Sequence, residues 1–250
     1  TCRDNPPLLE ANPTYEATLL SLGRIEQERL YWGNWEARQE SSGLFKQSWT
    51  PIIDRIDESQ VERRVRAWDI AGSLPSESNP YPDFTVGVLL AKMRDGTYVV
   101  EDMIRFQQRA GEVENTIMQI TQKDREYYSN YRCVLPQDPA AAGKIVRSHY
   151  SKLFASHGIP VYFNKTVSGS SKVKNFEPFA ATAENGLVSV LKGEWNTQFF
   201  KELEQFDGTR SSSSRKDDIV DATATAFNVM STKKELPKIG ASAFQLPSIF

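Results

Sequence analysis

The chain has 250 residues, 39% of them hydrophobic and 25% charged, which excludes a disordered or fibrous chain and leaves room for one large core. Its formal charge of −2 excludes a globally basic nucleic-acid binder, and no run approaches the roughly 18 apolar residues of a membrane span. Two cysteines, Cys2 and Cys133, give no disulfide framework and no Cys/His zinc site, and read as free thiols in a reducing compartment.

The opening stretch TCRDNPPLLEANPTY carries no signal or transit pattern and no initiator Met, so it reads as part of a longer protein. Tyr15 to Trp35 has helical spacing, with Leu19, Leu22, Ile25, Leu30 and Trp32 as buried positions. GNW and SSGLF then signal turns, and residues 1–60 read as a helical lead-in and linker. From Val61 the pattern becomes strands. RRVRAWDIA is the first, and TVGVLLAKM and TYVVEDMIRF form a hairpin about Arg94-Asp95-Gly96. Glu112 to Tyr128 is a helix with Val113, Ile117 and Ile120 on one face, and RCVLPQD is a short buried strand. Ala140 to His157 is a helix closed by Gly158, and PVYFNKT is a strand. Lys172 to Ala183 is a helix, LVSVLKG a strand or half a hairpin, and Asn196 to Phe206 a helix. DGTRSSSSRK is a polar loop, Asp217 to Met230 the last helix, and residues 233–250 a tail. Hairpin strands followed by helix–strand alternation predict an α/β fold, a mixed central sheet with helices on both faces, over residues 61–232.

Three acidic sites stand where strands end and a helix begins: Asp69, Asp138, and the group Asp217, Asp218 and Asp221. Carboxylates brought to one sheet edge by separate strands offer the hard oxygens that Mg²⁺ and Mn²⁺ prefer. Two such ions about 3.5–4 Å apart clamp an in-line displacement at phosphorus. In that arrangement Asp69 is the shared ligand, with Asp138 on one ion and Asp218 on the other. Asp218 and Asp221 are three residues apart and share a helix face. Asp221 reads equally as a ligand or as a group that adjusts the site. Asp217 sits at the helix start, where an N-cap is the competing role. Taken singly, Asp69 is a strand-end turn former and Asp138-Pro139 a helix-start signal; only the joint pattern points to metal chemistry.

Basic residues lie close to these acids. Lys172, Lys174, Arg215 and Lys216 are candidates for contact with DNA phosphates, against the alternative of solvated faces. Lys144 reads equally as a phosphate ligand or a surface lysine. AAAGK lacks the first glycine and the Ser/Thr of a phosphate loop, so no ATP site is recognisable. His149 and His157 read as surface or packing residues, and the tryptophans at 32, 35, 49, 68 and 195 as packing anchors.

The stretch SKVKNFEPFAATAENGLVSVLKGEWNTQFFKELEQFDGTRSSSSRKDDIVDATATAF resembles the C-terminal nuclease domain of phage large terminase subunits. RAWDIAGS with PDFTVGVLLA, and QDPAAAGK, resemble two further acidic motifs of that family, and the lead-in resembles its motor–nuclease linker. Lys216 replaces the usual His before Asp-Asp, Asn175 stands where Arg is common, and Asp207 replaces Pro. The resemblance implies an RNase H-like fold and an endonuclease that cuts concatemeric double-stranded viral DNA with two Mg²⁺ or Mn²⁺ ions. It implies catalytic roles for Asp69, Asp138 and Asp218, with Asp221 as a further metal ligand. It also implies an ATPase motor domain, a portal and a small terminase subunit as partners, in the host cytoplasm and without a membrane. A junction resolvase or transposase, and a docking module without catalysis, are the alternatives.

Overall fold

A computed structural model describes Leu19 and residues 27–33, 44–137, 141–165, 171–208 and 216–231. Asp138, Arg215, Cys2, Trp35, most of the expected first helix, residues 209–215 of the polar loop and the tail lie outside the described residues.

Seven strands form one mixed sheet. They are β1 (Ile52–Ile53), β2 (Val61–Asp69), β3 (Thr85–Met93), β4 (Tyr98–Phe106), β5 (Tyr131–Gln137), β6 (Val161–Lys165) and β7 (Val188–Leu191), in the spatial order β1-β7-β4-β3-β2-β5-β6. β2, β3 and β4 are antiparallel neighbours, while β5 and β6 on one side, and β7 and β1 on the other, join in parallel. β3 reads as an almost unbroken apolar run because it is central and covered on both faces. The β3–β4 hairpin turns at Gly96, whose φ of 90° suits a residue without a Cβ.

The helices are α1 (Ala110–Tyr127), α2 (Ala141–Ser156), α3 (Lys172–Glu184), α4 (Asn196–Gln205) and α5 (Asp218–Ser231). Helices α3, α4 and α5 cover one face through Phe176, Phe179, Phe199, Ile219 and Phe227, which pack with Val65, Ala67 and Val88. Helices α1 and α2 cover the other through Val113, Ile117, Tyr150 and Phe154, packed with Trp68, Cys133 and Leu135. Full burial of each such aromatic or branched side chain contributes about 1.5–3 kcal/mol. The mixed sheet with helices on both faces is as the sequence predicts.

Strand β2 divides its side chains by strict alternation. Val65, Ala67 and Asp69 point toward α5, whereas Arg64, Arg66 and Trp68 point toward α1. The buried Arg66 guanidinium bonds Asp124 Oδ2 of α1 at 2.6 Å and Asp102 Oδ2 of β4 at 2.9 Å. Arg64 meets Glu101 Oε2 at 2.7 Å and stacks on Tyr128.

Three expectations are corrected. Strand structure begins before Val61: Ile52–Ile53 pairs with Val190 and Leu191, and Phe45 enters the core. Leu30 and Trp32 are exposed and Tyr31 is buried instead, because Gln27–Tyr31 forms a π-helical turn. Its i→i+5 bond, Trp32 N to Gln27 O at 3.0 Å, rotates the inward position away from the 3.6-residue expectation. Of the two readings of LVSVLKG, the strand holds: residues 188–191 pair in parallel with β4 and β1 and belong to no hairpin. Ile120 is only partly buried, while Thr121 and Asp124 turn fully inward. Cys133 is a buried thiol that accepts from Thr121 Oγ1, and burial pushes it up to about 12, which makes it unreactive.

Candidate active site

β2 and β5 run parallel, with Ala67 opposite Val134, so both strands deliver their C-terminal ends to the same sheet edge. Asp69 is the last residue of β2. Helix α5 begins beside it with Asp218, preceded by Asp217 and followed one turn later by Asp221. Four carboxylates from two elements therefore converge where the sequence placed two of its three acidic sites. Lys172, the first residue of α3, reaches into the group. Its Nζ lies 2.6 Å from Asp221 Oδ2 and 2.7 Å from Asp217 Oδ2. The Asp221 contact is a hydrogen bond, and the Asp217 contact is an ion pair outside hydrogen-bond geometry.

The acids are not equivalent. Asp69 keeps a partly open rim, but packing strips most water from its carboxylate. That burial, together with the charges of Asp221 and Asp218, pushes it up to about 8 despite nearby Lys172. Asp218 is 3% exposed, and burial raises it to about 6 although the Phe84 amide donates to its Oδ2 at 3.1 Å. Burial also raises Asp221, with Lys172 opposing the shift. Burial works against the charge on Lys172, but the carboxylates of Asp217 and Asp221 beside it outweigh that, and its hold on its proton is strengthened. Lys172 pairs with Asp217 and Asp221, whereas Asp69 and Asp218 make no ion pair among the described residues and feel only the more distant charges of Lys172 and Lys216.

Among the described residues, no three His, Cys, Asp or Glu side chains are spaced to seat a metal ion ready-made. β5 ends at Gln137, one residue before Asp138. Of the basic candidates, Lys172 is turned onto the acids. Lys216 is held by Tyr81 O at 2.8 Å and Asp83 Oδ1 at 2.6 Å. Lys174 is exposed on α3, and Lys144 is exposed in the first turns of α2 without an ion pair to the described acids. Asp217 precedes α5 as expected of a cap; its carbonyl accepts from the Asp221 amide at 2.9 Å, and its carboxylate faces Lys172.

One participant was not singled out from the sequence. Glu202 of α4 is 6% exposed and accepts from the Ile219 amide at 2.5 Å, which satisfies an orphan donor of the first turn of α5. Burial raises it to about 7, with that amide opposing. Its signal in the sequence is faint: a lone acid between Leu203 and Phe200 on an apolar helix face.

A family model described as the terminase RNaseH-like domain matches residues 66–229, well over half of the chain. The chain belongs to that family. This terminase nuclease domain has the fold of the large terminase nuclease from thermophilic phage G20c with bound magnesium. The TM-score is 0.51 at 16% identity, over 76% of this chain and 98% of that one. The large terminase nuclease domain of Thermus phage P74-26 is similar at 16% identity and a TM-score of 0.47, over 78% of this chain and 95% of that one. The yeast mitochondrial Holliday junction resolvase Ydc2 is more distant, at 10% identity and a TM-score of 0.39, over 70% of this chain and 78% of that one. No curated protein matches the sequence. Among the described residues, no helix of the terminase domain is long and apolar enough to cross a membrane.

Proposed function

We propose that this terminase domain cleaves double-stranded DNA by metal-assisted phosphodiester hydrolysis, with Asp69, Asp138 and Asp218 as the catalytic ligand set. The observation that carries this reading is the crowding of carboxylates at the sheet edge: Asp69, pushed up to about 8 by burial and by the charges of Asp221 and Asp218, beside the buried Asp218. Hard carboxylate oxygens that repel one another until a cation arrives fit a site for Mg²⁺ or Mn²⁺. The end of β5 at Gln137, beside the end of β2, supports Asp138 as the third ligand. Two bound ions would supply Lewis-acid polarisation of the phosphate and charge neutralisation at the attacking and leaving oxygens.

The chain's own residues prepare the site. The Phe84 amide fixes the Asp218 rotamer, and Glu202 anchors the first turn of α5 on which Asp218 rides. Lys172 occupies Asp217 and Asp221, so Asp221 becomes a further oxygen donor only as that ammonium turns away. The terminase family supports concatemeric viral DNA in the host cytoplasm as the substrate. It likewise supports an ATPase motor ahead of the 61–232 nuclease unit, a portal and a small terminase subunit as partners. With a net charge of −2, the domain relies on such partners to concentrate DNA at the acids.

Nicking of supercoiled plasmid with Mg²⁺, Mn²⁺ or EDTA tests this. Asp69→Asn and Asp138→Asn are each expected to lower the metal-dependent rate by more than the roughly 10–100-fold typical of losing a mere supporting partner. Wild-type rates in both variants, or nicking undiminished in EDTA, would refute the assignment.

A further inference from the structure

A cleft of about 270 Å³ opens beside the acid cluster, lined by Arg105, Lys201, Lys216, Gln107, Gln198 and Gln205 among others. Its polar lining is rich in donors. Lys216 is already engaged by Tyr81 O and Asp83, but Lys201 stands exposed on α4. Glu202, the carboxylate in the lining, accepts from the Ile219 amide of α5, and its charge, with that of Asp218, also acts on Arg105. Arg105 is the distinctive member. Its guanidinium lies 3.3 Å over the Phe84 ring, and its Nε is buried with no hydrogen-bond partner among the described residues. A guanidinium stacked on a ring keeps its N–H groups in plane, at the edge, where they match the oxygens of a phosphate. A buried donor without an acceptor is costly unless a ligand completes it.

The cleft and the acids share parts. Phe84 stacks under Arg105 with its ring and donates to Asp218 Oδ2 with its amide at 3.1 Å. Glu202 lines the cleft and holds the amide next to Asp218. The cleft therefore keeps a fixed offset from the catalytic edge. We propose that it seats a non-scissile backbone phosphate of the DNA strand being cut, with Arg105 and Lys201 as the phosphate ligands. This rests on the nuclease reading above. It adds a second anchoring point that fixes the strand's path across the acids.

Binding of the 250-residue chain to a labelled short duplex, followed by fluorescence anisotropy with Ca²⁺ across a salt series, tests the proposal. Arg105→Gln and Lys201→Gln are each expected to weaken binding several-fold. Each should also flatten the slope of log K against log salt by about 0.9, the value for one lost phosphate contact. KM for plasmid should rise more than kcat falls, and in the Lys201 variant Mn²⁺ binding should stay at the wild-type level. Lys201 is exposed, so its variant folds and decides the matter if Arg105→Gln does not. Wild-type affinity and slope in a folded variant, alongside normal metal-dependent cleavage by the parent chain, overturn the cleft assignment alone. A parent chain that neither binds nor cuts the duplex overturns the nuclease reading and this one with it.

Discussion

Asp69 and its neighbours make the terminase site a proton-coupled one. In the ion-free protein Asp69 is raised to about 8, against roughly 3.9 for an unfolded chain. The folded state therefore holds a proton that the unfolded chain has lost. The stability this gives is full below about pH 4, declines as pH rises, and is gone above about 8. Asp218, raised to about 6, adds to the same decline over the lower part of that window. If Asp69 and Asp218 hold a metal ion as proposed, the cation displaces these protons, so apparent Mg²⁺ affinity is expected to climb from pH 6 to 8 and then level off. Calorimetric titration in buffers of different ionisation enthalpy counts the protons released. Release near pH 7 that vanishes in Asp69→Asn is the expected outcome, and metal binding without any release would contradict it.

At the scale of elements, the position of Asp69 depends on how β2 lies against β3. Trp68 pairs with Gly87 and Asp69 with Val86. A Cβ built on Gly87 would stand 2.6 Å from the Trp68 ring, a large and fully buried group with nowhere to move. Gly87→Ala is expected to cost about 1–3 kcal/mol, the usual range for overpacking, in a urea melt. It should also lower cleavage, because the displaced Trp68 is the residue before Asp69, the proposed ligand. An unchanged melt would show that the indole has room to shift. The strands and helices after Val61 were legible because each carries a clear period: alternation in RRVRAWD, a 3.6-residue stripe at Val113 and Ile117, and a turn at Arg94-Asp95-Gly96. What stayed hidden depends on tertiary contact. Nothing in a two-residue Ile52–Ile53 run foretells a sheet edge. A buried Glu202 is visible only once α4 and α5 are packed, and Arg105 gains meaning only from the Phe84 ring beneath it. Asp69 and the Asp217, Asp218 and Asp221 group were legible as types and spacings, and the structure brings them together; the capture of Asp217 and Asp221 by Lys172 needs the start of α3 brought against α5.

Across the whole molecule, the sheet separates two polar systems that a single strand feeds. On the α5 side, β2 presents the acid at its end; on the α1 side it presents Arg64 and Arg66 to Glu101, Asp102 and Asp124. Arg66 is 2% exposed, so Arg66→Met leaves Asp124 buried without its partner, and a loss of about 3–5 kcal/mol is expected in equilibrium unfolding. Replacing Asp124 as well, Arg66→Met with Asp124→Leu, should recover much of that loss; a single variant as stable as the parent would show that Asp124 finds another partner. The alternation of β2 also guards the assembly of the site. If the strand paired one residue out of register, both guanidiniums would be thrust into the hydrocarbon under α5 and Asp69 would face α1. Such a mispaired chain is heavily penalised before any chemistry is possible. The folding reaction thereby proofreads the orientation of β2: a molecule able to complete its core has already aimed Asp69 at the sheet edge where α5 begins.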